Sequence, residues 1–151
     1  MSRGRSWFEV EVSKDWSVAV MAAAHQYSAV RLQVLEALQS DDAEVRAAAV
    51  ATCNEADDRT AHDFVLALFR DSNANVRAEV LEYVAEFPEK CDALKLLEAL
   101  ASREHVFLAT SGLQKLYGER GPLVYEDQDE TTCIQAVQQW GSVVRAQNDE
   151  A

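Results

Sequence analysis

The feature that most constrains the fold is a short motif that occurs twice, about thirty residues apart. Its first copy runs from Asp41 to Arg46 and reads Asp-Asp-Ala-Glu-Val-Arg, and its second runs from Asp71 to Arg77 and reads Asp-Ser-Asn-Ala-Asn-Val-Arg. An apolar helix end precedes each copy, and an amphipathic run rich in Ala or Val follows it. A weaker third copy begins at Ser102. The chain is therefore predicted to repeat one supersecondary unit.

Superposition of the copies tests this period. Val45, Val76 and Val106 are 31 and 30 residues apart. Most aligned columns keep one character, apolar or polar, where unrelated segments would mix the two. The apolar columns include Leu38/Leu68/Leu100, Leu35/Val65/Leu97 and Val34/Phe64/Leu96. Because a pair of short helices cannot bury its apolar faces alone, neighbouring pairs must stack into a continuous core.

The pattern divides the 151 residues, which amount to a single domain (1–151), into four parts. Residues 1–12 alternate apolar and acidic positions, which predicts an extended N-terminal arm or short strand. Residues 13–117 form the repeat core, and residues 118–129 are the longest predicted loop. Residues 130–147 form a C-terminal capping helix on which four residues share one apolar face: Cys133, Val137, Trp140 and Val144.

Within the repeat core, apolar residues at helical spacing predict paired helices. Ser13 or Asp15 caps the first helix, Ser28 caps the second, and Asp41 with Glu44 resembles a capping box. The residues predicted to line the buried faces of these helices include Val18, Met21, Leu32, Phe64 and Leu94. His62 falls in the column of Leu32 and Leu94 and is predicted to be a half-buried packing residue.

Charge and cysteine content exclude several classes of function. The 26 acidic and 14 basic residues give a net charge of −12, which repels phosphate backbones and argues against nucleic-acid binding. Cys53, Cys91 and Cys133 are odd in number and lack metal or redox spacing, which indicates a reducing, cytoplasmic location. The longest apolar run, residues 18–24, is too short to cross a membrane, and acidic residues interrupt any signal peptide.

We find no catalytic constellation in the sequence. The three histidines occur as His25-Gln26, His62-Asp63 and His105-Val106, which gives no His-Glu pair and no metal-binding spacing. Neither a glycine-rich phosphate loop nor a nucleophile elbow is present. Cys53 aligns with Val84, so it is predicted to be a packed thiol, and Trp140 is predicted to be core. The sequence therefore predicts no enzyme, no metal and no cofactor.

The segments 37–50 and 67–81 resemble the HEAT repeat, especially its short HEAT-like form of the phycobilisome-lyase type. The resemblance covers residues 29–116. It implies an all-α fold, a short right-handed α-α superhelix (HEAT-like solenoid) of about four antiparallel helix pairs. It also implies a ladder of Asp and Arg from repeat to repeat, formed by Asp41, Arg46, Asp71 and Arg77. Phe107 stands where the third Arg belongs, so the ladder is expected to stop there.

The same resemblance implies a protein-binding role, with a concave surface formed by the second helix of each pair. On this chain the residues that would face a partner are Gln33, Glu36, Asp63, Lys95 and Glu98. A second predicted contact is the acidic run beside the longest loop, with Glu126, Asp127, Asp129 and Glu130. For both sets the alternative is that the side chains are simply solvated.

The leading hypothesis is thus a non-enzymatic scaffold or adaptor that displays an acidic concave face to a basic protein partner. An immunity-type inhibitor of a cationic toxin belongs to this class. One alternative is a bilin-lyase-like or metal-dependent HEAT-like enzyme. Another is a structural module that self-assembles through one end of its helix stack.

Overall fold

A computed structural model describes residues 4–149, with side chains described through residue 147. Within this range the regular elements are α-helices joined by two short 3-10 turns, and no strand occurs, so the predicted all-α fold class is confirmed. The helices are α1 (Trp7–Lys14), α2 (Trp16–His25), α3 (Tyr27–Ala37), α4 (Ala43–Glu55), α5 (His62–Leu66), α6 (Ala74–Glu86), α7 (Ala93–Ala101), α8 (Val106–Tyr117) and α9 (Glu130–Asp149).

The chain forms two compact units, Met1–Tyr83 and Val84–Ala151. In the first unit α2 packs along α4, and α3 packs against both. In the second unit α7 packs against α8 and α9. That the whole chain, 1–151, forms one repeat domain remains our proposal.

The N-terminal segment is helical, so the predicted extended arm or strand over residues 1–12 is wrong where the structure describes it. The hydroxyl of Ser6 accepts a hydrogen bond from the backbone N of Glu9 at 3.2 Å and so caps α1. Phe8 and Val12, four residues apart, are both buried and share one face of the helix. Helix α1 packs against α2, α3 and α4. Residues 1–3 of the predicted arm lie outside the described residues.

The buried face of α2 was also predicted wrongly. Val18 and Met21 are 59% and 57% exposed, whereas Ala19, Val20 and Ala23 are buried. Every residue from position 18 to 24 is apolar, so periodicity could not select one face. Ala19, Val20 and Ala23 form the inner face of α2, the helix that packs along the Ala-rich α4.

On the second helices of the pairs three further predictions of buried residues were wrong. Leu32, Phe64 and Leu94 are 75%, 55% and 62% exposed. Their neighbours point inward instead: Val34, Val65 and Leu96 are fully buried. Since α5 has only five residues, little more than one turn of it meets the core, and Phe64 lies on the other side. His62, predicted to be a half-buried packing residue, is buried more fully, with 9% of its surface exposed.

Asp15 caps α2, as predicted, whereas two other helix starts differ from the predicted ones by one or two residues. The N-cap of α4 is Asp42, whose Oδ1 accepts a hydrogen bond from the backbone N of Glu44 at 2.9 Å. Asp42 is the last residue with extended backbone before the helix, so its carboxylate, and not that of Asp41, meets the free amides. Helix α3 begins after Gln26 without a side-chain cap, and not at Ser28.

The segment 118–129 connects α8 and α9 and is anchored to the core of the second unit. Trp140 is fully buried, as predicted, and its Nε1 donates a hydrogen bond to the Pro122 carbonyl oxygen at 2.9 Å. Thr110 Oγ1 accepts a hydrogen bond from the Val124 backbone N at 2.9 Å. A Cβ atom added at Gly121 would lie 2.4 Å from the Trp140 ring, so only glycine fits there.

Candidate functional site

The arginine of the first motif copy and the aspartate of the second form a two-point ion pair. Arg46 Nε and Nη2 donate hydrogen bonds to Asp71 Oδ2 and Oδ1 at 2.9 and 3.0 Å. The two side chains are 15% and 8% exposed. Hydrogen bonding from Arg46 holds the pKa of Asp71 below its ordinary value. The pair therefore links the two motif copies across 25 residues of sequence.

Both motif arginines also bind a backbone carbonyl six residues earlier in the chain. Arg46 Nη1 donates to the Ser40 oxygen at 3.0 Å, and Arg77 Nη1 donates to the Asp71 oxygen at 2.7 Å. Asp41, the first predicted ladder residue, is exposed and takes no part in the ion pair of Arg46 with Asp71. At the third copy the ring of Phe107 stacks on Tyr125, with centroids 5.2 Å apart.

Asp58 is the centre of a polar network that sequence reasoning missed. Tyr27 Oη and Arg31 Nε donate hydrogen bonds to Asp58 Oδ2 at 2.6 and 2.9 Å. Burial alone would raise the pKa of Asp58, but hydrogen bonds from its neighbours hold it below the ordinary value. Cys53 is buried beside Tyr27, and burial raises the pKa of its thiol to about 11. Its thiol is therefore packed and neutral, as predicted.

The five residues predicted to face a partner differ in their surroundings. In the first unit Glu36 and Asp63 are exposed, whereas Gln33 is half-buried. Gln33 Oε1 accepts a hydrogen bond from the backbone N of Phe8 at 3.2 Å, which ties α1 to α3. In the second unit Glu98 is exposed and Lys95 is half-buried. Gln33 thus has a packing role that the sequence did not indicate.

The acidic run 126–130 is exposed and ordered by local hydrogen bonds. Glu126 Oε1 accepts a hydrogen bond from the backbone N of Phe107 at 3.2 Å, at the start of α8. Asp129 Oδ1 accepts one from the backbone N of Thr132 at 2.9 Å, at the start of α9. These hydrogen bonds from Thr132 lower the pKa of Asp129. Asp127 and Glu130 are exposed beside them, so the run carries its charge at defined positions.

The structure also contains a feature that the sequence did not indicate, which we call the Trp16 cleft. It consists of two adjoining cavities of the first unit, of about 290 and 300 Å³, that share Trp16 and Glu79. The first is lined by Trp16, Ala43, Glu44, Ala47, Asn73, Asn75, Ala78 and Glu79. The second is lined by Trp16, Ser17, Val20, Met21, Ala51, Asn54, Glu55, Glu79 and Glu82. These residues come from α2, α4, α6 and the turn before α6, the first helices of successive pairs.

Glu79 is the half-buried carboxylate common to both cavities. Burial, together with the nearby charge of Glu82, raises the pKa of Glu79 to about 7. Within the described part of the chain, no hydrogen-bond donor or cation pairs with its side chain. Glu79 and Trp16 are 63 residues apart, which is why no local pattern could have joined them.

The helix pairs and the contacts between motif copies define the class of the molecule, an all-α helical-repeat protein. A sequence profile of HEAT repeats matches residues 28–114, more than half of the chain, and the protein therefore belongs to the HEAT-repeat family. HEAT repeats are generally scaffolds for protein interaction, and the family is typically non-enzymatic. No curated protein and no solved structure matches the chain significantly. No helix in the described range combines the length and apolar character needed to cross a lipid bilayer.

Proposed function

We propose that this HEAT-repeat protein is a non-enzymatic binding scaffold whose acidic surface binds a basic protein partner. Membership in the family supports the scaffold role, because HEAT repeats generally mediate protein interactions. The net charge of −12 supports the sign of the partner, since opposite charges steer association and exclude partners of like charge. The family match is the single observation that carries this proposal.

The acidic run 126–130 is the proposed contact in the second unit. Its Glu126 and Asp129 are already held by backbone amides of α8 and α9. Binding therefore orders fewer side chains than a free loop would require, which lowers the entropic cost of association. Asp127 and Glu130 are exposed on the same run, and their charges are available to a partner.

In each unit taken by itself, helix residues are a further proposed contact. The exposed carboxylates of Glu36 and Asp63 in the first unit and of Glu98 in the second carry the charge. Gln33 and Lys95, both half-buried, border them on the same helices.

Three finer assignments belong to the same proposal. Within the family we assign the repeats to the short phycobilisome-lyase type, on the motif copies at 41–46 and 71–77. An immunity-type inhibitor of a cationic toxin fits the size and charge of the chain. All three cysteines are free thiols, which supports a reducing, cytoplasmic location.

The test is a pull-down from the native host with the full chain as bait, at about 0.05 M and about 0.5 M salt. We expect a basic protein that is captured at low salt and released at high salt. The variant Asp127→Lys should weaken capture, whereas Glu119→Lys, in the same loop but outside the acidic run, should weaken it less. A partner that is acidic, or indifferent to both salt and Asp127→Lys, would contradict the proposal.

Two further measurements separate the alternatives. Metal analysis and an absorption spectrum of the purified protein should show neither a stoichiometric metal nor a bound chromophore, and either would overturn the non-enzymatic role. A mass that rises with concentration in sedimentation would favour self-assembly over a separate partner.

A further inference from the structure

We propose that the Trp16 cleft is a receptor for arginine side chains carried by a basic segment of the protein partner. The inference rests on the proposed scaffold function and deepens it, because it names the part of the partner that is recognised. It also places a contact on the first helices of the pairs, whereas the sequence pointed to the second helices.

The size and walls of the cleft fit long, slender side chains. Cavities of about 290 and 300 Å³ lie at the lower end of the range for small-molecule pockets, so each suits a single side chain. Apolar surface is available in both: Trp16 with Ala47 and Ala78 in the first, and Trp16 with Val20 and Met21 in the second. Such walls match the methylene stem of a basic residue, which packs on apolar surface while its charged end stays near water.

The charges of the lining residues have one sign. Glu44 and Glu79 line the first cavity, and Glu55, Glu79 and Glu82 line the second. No Lys or Arg lines either cavity among the described residues. A cation is therefore favoured and an anion is repelled.

An indole ring beside carboxylates selects the guanidinium group in particular. Trp is the best aromatic partner for a cation, and the planar guanidinium can stack on the ring while it donates paired hydrogen bonds to a carboxylate. The ammonium of Lys lacks both the plane and the fork of donors. Trp16 lines both cavities, so two arginines of one segment can each contact the same indole.

Glu79 is the carboxylate with which a bound guanidinium would pair. It is shared by both cavities, and it has no cation or hydrogen-bond donor within the described part of the chain. Because it is half-buried next to Glu82, its pKa lies near 7, which indicates a carboxylate that lacks a compensating charge. A bound guanidinium supplies that charge.

The test is a titration of the full chain with three synthetic peptides of equal length. One carries two arginines, one carries two lysines, and one carries two citrullines, which are neutral and nearly isosteric with arginine. Binding is followed by calorimetry and by the indole N–H signal of Trp16 in nuclear magnetic resonance, assigned with Trp16→Phe. We expect the arginine peptide to move the Trp16 signal and not that of the buried Trp140, and the citrulline peptide to bind at least tenfold more weakly.

Two variants locate the binding energy. Glu79→Gln keeps the shape of the side chain and removes its charge. It should lower the affinity for the arginine peptide at least about fivefold. Trp16→Leu keeps an apolar wall without the ring and should lower the affinity for the arginine peptide by a similar factor. Glu119→Gln removes one charge outside the cleft and should change affinity less than twofold. Circular dichroism verifies that each variant is folded.

The outcomes separate the two proposals. A Trp16 signal that does not move, or equal weakening by Glu79→Gln and Glu119→Gln, would overturn the cleft and leave the scaffold proposal in place. Equal affinity for the lysine and arginine peptides would overturn the assignment to arginine. Entry of the arginine peptide into the cleft, with a host partner that proves acidic in the pull-down, would support the cleft and contradict the proposed binding of a basic partner.

Discussion

Arg46 holds Asp71 at two points, with N–O distances of 2.9 and 3.0 Å, across 25 residues of sequence. Its remaining terminal nitrogen, Nη1, donates to the Ser40 carbonyl oxygen at 3.0 Å. One guanidinium therefore binds both the segment before its own helix and the motif copy that follows. Arg77 makes the corresponding bond to the Asp71 carbonyl oxygen, so the two copies share this contact of the arginine with the carbonyl six residues earlier.

The first prediction concerns the stability of this pair. Both side chains are mostly buried, so removing one partner leaves the other charge without compensation. We expect Arg46→Met or Asp71→Asn to lower the free energy of unfolding by about 2–3 kcal/mol in denaturant titrations. The double variant should cost little more than either single one.

The exposed ion pair of Lys14 with Glu11, at 3.3 Å, provides the control. Lys14→Met should cost less than about 1 kcal/mol, because solvent screens that pair. Equal losses in Lys14→Met and Arg46→Met would show that burial of the Arg46 pair contributes nothing.

The second prediction is the acid dependence of the same pair. The pKa of Asp71 is lowered in the folded state below its ordinary value of 3.8. Its contribution to stability is therefore complete above about pH 4 and is lost as the pH falls through the lowered pKa. In urea unfolding between pH 5 and pH 2, the wild type should lose its advantage over Asp71→Asn. A constant difference across this range would refute the assignment.

Much of the fold could be predicted from the sequence, because residues at equivalent positions of a repeat are expected to be buried alike. Val45, Val76 and Val106 are all buried, as the period required. Local ambiguity explains the errors. Phe8 was overlooked because the alternation of acidic and apolar residues around it fits a strand as well as a helix, and the cap at Ser6 decides for the helix.

Among the candidate sites, too, those made of adjacent residues could be predicted, and those formed by packing could not. The acidic run 126–130 was accessible because its residues are adjacent in sequence. The Trp16 cleft was not, because Trp16, Glu44 and Glu79 lie on or beside three different helices and meet only after packing. The network around Asp58 was not predictable either, since nothing in the sequence pairs Asp58 with Tyr27 and Arg31.

The third prediction concerns the three thiols. Cys53 and Cys133 are buried, whereas Cys91 is exposed. Iodoacetamide should therefore label one site on the native protein, and mass spectrometry should find none on Cys91→Ser. Labelling should accelerate as the pH rises, since burial and the adjacent carboxylates of Asp92 and Glu89 raise the pKa of Cys91. Labelling of Cys53 in the folded protein would contradict its burial.

The fourth prediction uses the half-buried Glu79. Its pKa is about 7 in the folded protein and 4.5 ordinarily, so between these values the folded state binds more protons than the unfolded state. Stability therefore falls as the pH rises through this window. At pH 8 Glu79→Gln should be more stable than the wild type by roughly 1–2 kcal/mol, allowing for the solvent that still screens the group.

At pH 4 both side chains are neutral, and the difference should vanish. Glu119→Gln should show no such dependence on pH. An identical stability of Glu79→Gln and the wild type at pH 8 would mean that the carboxylate is solvated.

The last prediction contrasts one substitution at two glycines of the second unit. A Cβ atom at Gly121 would lie 2.4 to 2.8 Å from three carbons of the buried Trp140 ring. Either the ring or the loop must move, and the Nε1 bond to the Pro122 oxygen would be strained, so Gly121→Ala should destabilise by about 2–3 kcal/mol.

Gly141 lies within α9, where a new Cβ meets only Arg145 Nη1, at 3.5 Å. Gly141→Ala should therefore stabilise by up to about 1 kcal/mol through helix propensity. The two variants are compared in thermal unfolding, with the total tryptophan emission, to which Trp140 contributes, as a second signal. A red shift is expected for Gly121→Ala alone, because only there does the displaced loop expose the indole to water. If Gly121→Ala did not change the free energy of unfolding, the loop 118–129 would have to be loosely packed on α9. The hydrogen bonds at Pro122 and Val124 would then contribute nothing to stability.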